Sequence, residues 1–193
     1  MIIANVASYM IMRSKMAIDP KRFEGNVKTR LTRMKKSPKE AETKTVVNVK
    51  LIKDYLKQVT SRGFTFYCDE PSQYGDIEMG GTNKGPAPLT FFLAGIGCCE
   101  LSFYTICATM LGLSIDAMEI EVVGTMDWRG PYGLAKGSGY KEFTTTVKIN
   151  SKEDKKKIRD LVKLVHRSCP AYNTIVNPVP IHNILYLNGS RLK

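Results

Sequence analysis

Residues 86–112 read Pro86-Ala87-Pro88-Leu89-Thr90-Phe91-Phe92-Leu93-Ala94-Gly95-Ile96-Gly97-Cys98-Cys99-Glu100-Leu101-Ser102-Phe103-Tyr104-Thr105-Ile106-Cys107-Ala108-Thr109-Met110-Leu111-Gly112. Pro88 suits a first helical turn and Gly112 suits the left-handed position that ends a helix, so the spacing predicts one helix over 88–111. From Ala87 to Ile115 the one charge is Glu100. A run this apolar is long enough to span a bilayer. It also carries Gly, Ser, Thr, Tyr and three Cys between amphipathic segments, which favours the buried helix of a soluble core.

Outward from that helix the periods alternate. Val46–Ile52 and Leu56–Thr60 are strand-like. Arg62–Cys68 alternates with Phe64, Phe66 and Cys68 on one face. Residues 69–86 are rich in Gly, Pro, Asn and Asp and read as a loop. Downstream, Met118–Trp128 and Phe143–Ile149 alternate with period two around a Gly-rich loop at 129–141. Ser151 is the expected cap of a second helix, with Asp154 at the capping-box position. Ile158, Leu161, Val162 and Val165 give that helix one apolar stripe. Cys169-Pro170 stops it and opens a short helix, Pro170–Ile175. Val179–Leu187 reads as a last strand. The expected class is α+β with antiparallel sheets.

The 193 residues carry a net charge of +11. Residues 1–44 hold 11 basic and 4 acidic side chains, against 18 and 14 in the rest. Residues 1–44 therefore read as a basic, helical N-terminal appendage, with Ser37-Pro38 as an internal restart, and residues 45–193 as the main domain. A solvated basic helix accounts for the charge, and no nucleic acid is expected as a partner. Arg62-Gly63-Phe64-Thr65-Phe66-Tyr67 touches an RNA-binding pattern only by chance, because Thr65 and Tyr67 break it. The apolar start, Met1–Met12, lacks the leading charge of an export signal, so a reducing, cytoplasmic setting with free thiols is expected.

Five cysteines exceed what a chain of this size needs structurally. Cys68 and Cys107 read as small core residues. Cys98 and Cys99 lie about 100° apart around one helix. Cys169 at a helix N-terminus is expected to have a lowered pKa. No Cys-x-x-Cys is present and His166 and His182 lack zinc spacing, so no metal site is expected. His166, three residues before Cys169, shares a helical face with it. Two separated thiols can act as nucleophile and resolver, through a sulfenic acid and then a disulfide.

The run Gly80-Gly81-Thr82-Asn83-Lys84-Gly85-Pro86-Ala87-Pro88, followed by Leu93-Ala94-Gly95-Ile96-Gly97-Cys98-Cys99, resembles the OsmC/Ohr family. The resemblance continues through Leu111-Gly112-Leu113, Met118–Val122, Ser168-Cys169-Pro170 and Asn177-Pro178-Val179-Pro180, covering about residues 37–185. It implies an OsmC-like fold, with antiparallel sheets wrapped around long central helices in an intertwined homodimer. It implies thiol-dependent reduction of organic hydroperoxides, Cys99 as the peroxidatic and Cys169 as the resolving residue, and a dithiol reductant. No metal or organic cofactor is implied. Cys98, one position early, and Arg62, a candidate for the family's supporting Arg, are possible supporting residues. The peroxidase members place a Glu just after the helix-opening Pro. Here Pro88 is followed by Leu89-Thr90. A non-catalytic alternative therefore stays open: an OsmC-like protein that binds a small apolar or sulfur-containing ligand at the dimer interface.

Overall fold

The computed structural model describes residues 16–192. Helix α1, Pro20–Lys36, opens under Asp19, whose carboxylate accepts the Lys21 N–H at 3.0 Å. Pro20 stands in its first turn, and Arg33, Lys35 and Lys36 sit in its last, where the helix end is negative. Phe23, Val27 and Leu31 recur at helical spacing on its half-buried side. That side lies against the long helix of the fold. A 3-10 turn at Pro38–Ala41 follows, closed by an Arg33–Glu40 ion pair of 2.9 Å. Ahead of α1, Ile18 is buried and bridges antiparallel to Ile115. The basic segment thus packs on the chain from Ile18 onward, while residues 1–15 lie outside the described residues.

The long helix, α2, runs Pro88–Leu111, as its Pro and Gly punctuation predicts. Gly112 has φ 68° and ends it. There the Gly112 and Leu113 N–H groups close onto the carbonyls of Thr109 and Ala108 at 3.2 and 2.8 Å. By length and composition α2 could cross a bilayer. In this chain it lies against α1, a sheet and two further helices.

Strands β1 (Asn48–Lys53), β2 (Leu56–Ser61) and β3 (Phe64–Cys68) form one antiparallel sheet. A small hairpin, β4 (Gln73–Tyr74) and β5 (Ile77–Glu78), stands in the loop before α2. After α2, β6 (Ala117–Met126) and β7 (Tyr140–Asn150) pair antiparallel from Ala117 opposite Asn150 to Met126 opposite Tyr140. Helix α3 (Lys155–Ser168) turns directly into α4 (Pro170–Val176). A last hairpin pairs β8 (Tyr186–Leu187) with β9 (Ser190–Arg191). The core gathers Ile18, Tyr104, Cys107, Ala108, Leu113, Ile115, Leu161 and Val165. The mixed helix and antiparallel-sheet class is as expected.

Three local expectations are corrected. Asp154, not Ser151, caps α3, accepting the Lys156 and Lys157 N–H groups at 2.9 Å. The Ser151 hydroxyl instead donates to the Ser114 carbonyl at 2.7 Å, tying the α3 entry to the end of α2. Trp128 lies beyond β6 and is exposed. Val179–Leu187 does not form one strand. Among the described residues its period-two pattern meets no neighbouring strand before Tyr186, where the Asn188-Gly189 turn, with both φ positive, folds Ser190–Arg191 back.

Candidate functional site

The loop before α2 sets where the helix begins. Asp69 is buried, and its carboxylate accepts four hydrogen bonds. Donors are the Thr82 hydroxyl at 2.6 Å and the N–H groups of Glu70, Thr82 and Lys84 at 2.9, 3.0 and 3.3 Å. These bonds, the Thr82 hydroxyl first, hold its pKa below the ordinary Asp value. The loop is pressed against the strand it leaves. A Cβ at Gly81 would stand 1.9 Å from the Glu70 carbonyl oxygen, and one at Gly85 2.1 Å from that of Tyr67. No side chain fits at either place. This is the physical content of the Gly-Gly-Thr-Asn-Lys-Gly-Pro run.

From Pro88, the helix turns Cys99 toward the corner where α3 meets α4. Cys169 is that corner: it ends α3, with its N–H on the Val165 carbonyl at 2.8 Å, and starts α4. The Cys169 thiol donates to the Cys99 sulfur at 3.6 Å. Cys99 is partly exposed and Cys169 is fully buried. Asn173 braces the corner, its Nδ2 donating to the carbonyls of Cys169 and His166 at 2.8 and 2.9 Å. The His166 ring stacks on Tyr172, centroids 4.7 Å apart and planes within 4°. Nothing in the sequence marked Asn173, an amide inside a short helix.

The expected lowering at Cys169 is reversed. Burial comes first and pushes the thiol up, and its hydrogen bond with Cys99 adds to that. The amides of Ala171 and Tyr172 pull the other way without closing a capping hydrogen bond, and they are outweighed. Cys68 and Cys107 are buried core thiols whose pKa burial also raises.

The other two candidates stand elsewhere. Cys98 is exposed on the next face of α2. It lines an apolar groove of about 390 Å³ with Leu93, Ala94, Leu101, Ile120 and Val122. Arg62 occupies the exposed β2–β3 turn at φ 50°, followed by Gly63 at φ 83°. Among the described residues it makes no hydrogen bond or ion pair to either thiol, nor does any Lys or other Arg. No group of three or more His, Cys, Asp or Glu side chains converges to hold a metal among the described residues.

Next to Cys99 stands the lone charge of the apolar run. Glu100 has no solvent exposure, and among the described residues neither carboxylate oxygen has a hydrogen-bond partner. Burial raises its pKa, with His166 acting in the opposite sense. One turn on, the Tyr104 hydroxyl is also buried and without a partner among the described residues, and burial pushes it up to about 12.

A family model described as OsmC-like protein matches residues 81–182, more than half of the chain. This chain belongs to the OsmC-like family. The OsmC-like match takes in the Gly-rich loop, α2 and the Cys169 corner. A hydroperoxide reductase of Mycoplasma genitalium is 29% identical over 97 residues, covering 48% of this chain. One of Mycoplasma pneumoniae is 28% identical over 94 residues, covering 49%. The matches span 64% of each of those relatives. The crystal structure of an OsmC-like protein from Mycoplasma pneumoniae superposes with a TM-score of 0.60 at 23% identity, covering 71% of this chain and 90% of that one. An organic hydroperoxide resistance protein OsmC from Legionella pneumophila gives 0.53 at 17%, covering 70% and 90%. At such identities these likenesses establish the fold.

Proposed function

We propose that this OsmC-like protein reduces organic hydroperoxides through a two-cysteine cycle, with Cys99 as nucleophile and Cys169 as resolver. The observation that carries the reading is the 3.6 Å separation of the two sulfurs at the junction of three helices. Their unequal exposure sets the order. A peroxide reaches partly exposed Cys99 before buried Cys169. The Cys99 thiolate attacks the outer peroxide oxygen and the O–O bond breaks. The alkoxide takes up a proton and leaves as an alcohol, and the sulfur becomes a sulfenic acid. Cys169 then attacks that sulfur, an S–S bond forms and water leaves. An external dithiol reduces the disulfide and is itself oxidised. The electrons all come from sulfur, so the cycle needs no metal or organic cofactor. The names of the Mycoplasma relatives support a peroxide substrate.

The working unit in this reading is a cytoplasmic homodimer. Val49, Leu51 and Phe64 of the β1–β3 sheet are exposed, as are Val179, Ile181 and Ile184 on a segment without a strand partner. A second copy covers both kinds of surface at once. Arg62 serves the thiols only if the partner's β2–β3 turn delivers it. Sedimentation equilibrium tests this assembly, and a monomer at micromolar concentration overturns it.

The cycle itself is tested by intact mass and peptide mapping after one equivalent of cumene hydroperoxide. Loss of two hydrogens, mapped to a Cys99–Cys169 link and absent in Cys99→Ser, supports it. If Cys99 stays reduced for hours, the peroxidase reading fails. The apolar groove beside Cys98 then becomes the place to look for a bound ligand.

A further inference from the structure

Glu100 follows the nucleophile directly, yet it points away from solvent into the core. Its exposure is zero, and both its oxygens lack partners among the described residues. A buried carboxylate without a hydrogen bond is among the costliest groups a fold can hold, so such a group stays protonated, gains a counter-charge or draws in water. The charge that acts on Glu100 is His166, on α3. Its own helix offers Tyr104, whose hydroxyl has no partner among the described residues and is pushed up to about 12 by burial. From β6 come Ile120 and Val122, which meet α2 at Gly97. From α1, Arg30 lies along Thr105, Ile106 and Thr109. Helix α4 carries no charged side chain.

A chain of contacts runs from His166 to Cys99, the neighbour of Glu100. His166 stacks on Tyr172 of α4. The Tyr172 amide lies beside the Cys169 sulfur. Asn173 ties the His166 and Cys169 carbonyls together. Cys169 touches Cys99, and Cys99 adjoins Glu100. We propose that Glu100 is a positioning residue for the Cys99–Cys169 pair. As a neutral acid it lets α2 close on the α3–α4 corner, and as a carboxylate it loosens that corner. The thiols then part, because the charge can be satisfied only by opening the contact to water or shifting His166.

The inference rests on the two-thiol reading, but its test needs no peroxide. The reduced full-length protein is equilibrated with a glutathione redox buffer at a series of pH values. Oxidised glutathione accepts two electrons and two protons as the Cys99–Cys169 disulfide forms, giving two reduced glutathiones. The disulfide fraction, read by mass, gives the effective concentration of Cys169 toward Cys99. Relative to Glu100→Gln, the wild-type value should fall about tenfold from the acid end of the pH series to the alkaline end, the range over which a carboxyl raised by burial ionises. Tyr172→Ala, which removes the stack while keeping Glu100, should lower it about tenfold at both ends of that range. Agreement of wild type and Glu100→Gln within about twofold at every pH overturns the proposal, as does an unchanged Tyr172→Ala. A protein that shows these shifts yet ignores cumene hydroperoxide keeps the positioning role and loses the peroxidase reading. One that turns over peroxide with no difference between wild type and Glu100→Gln does the reverse.

Discussion

Cys169 places its sulfur 3.6 Å from that of Cys99 although seventy residues separate them, and it does so from a position that no solvent reaches. A buried thiol against a partly exposed one is an asymmetric pair, so the two serine variants should differ in kind. Cys99→Ser should give no oxidised product with an organic hydroperoxide. Cys169→Ser should add a single oxygen at Cys99, because the sulfenic acid then has no thiol to condense with. Dimedone labelling followed by peptide mapping checks both. A dimedone adduct at Cys169 in Cys99→Ser would contradict the assigned order.

The raised pKa of Cys169 predicts where the second step is slow. A resolving thiol attacks as the thiolate, and burial holds Cys169 protonated past the ordinary thiol range. The rate of sulfenic acid consumption should therefore climb with pH through and beyond the value of a free thiol. Rapid-quench mass analysis across alkaline pH checks this. A rate that levels off below that range would mean that the Ala171 and Tyr172 amides outweigh burial after all.

Much of this arrangement is readable in the sequence, for physical reasons that also mark its limits. Helix α2 is legible because a long run with a single charge is bounded by Pro88 and Gly112, both of which act locally. Cys169 at a helix junction is legible because Pro170 can only open a turn. What fails is whatever depends on tertiary surroundings. Ser151 and Asp154 are equally good caps by type, and the choice falls to Asp154 because the Ser114 carbonyl takes the Ser151 hydroxyl. Val179–Leu187 has a strand's alternation but no neighbour over most of its length, and alternation does not supply one. The lowered pKa expected from the helix end at Cys169 was opposed by burial, which a linear pattern does not register. Glu100 stands out in the sequence as one charge in an apolar run, but a linear pattern does not show that it faces inward.

The Gly-rich loop is a structural requirement for the helix that carries Cys99. Gly85→Ala puts a methyl group 2.1 Å from the Tyr67 carbonyl oxygen, backbone against backbone, so neither side can yield without moving β3 or α2. The expected loss of stability is at least about 2 kcal/mol. Gly25→Ala, where a Cβ meets nothing within 4 Å, is the control and should not destabilise. Urea titration of both variants measures the difference. Asp69→Ala should also lower the midpoint by stranding its four donors. Because the folded-state pKa of Asp69 is depressed, its contribution is present above the unfolded value and lost as pH falls through the folded one. The deficit of Asp69→Ala should therefore shrink in acid.

Glu100 predicts a pH dependence of the opposite sign. Burial raises its pKa in the folded chain, so the unfolded chain ionises first. Stability is then full below the unfolded value and declines as pH rises toward the folded one. Glu100→Gln keeps the shape and removes the ionisation. It should match the wild type in acid and melt at a higher temperature than the wild type at neutral pH and above. Thermal denaturation followed by circular dichroism, across the range from acid to alkaline, makes the comparison. If Glu100→Gln is less stable at neutral pH, the carboxylate has a stabilising partner in the assembled protein. The His166 charge, the one group acting to lower the Glu100 pKa, is the first place to find it. His166→Gln should then destabilise the wild type but leave Glu100→Gln unchanged.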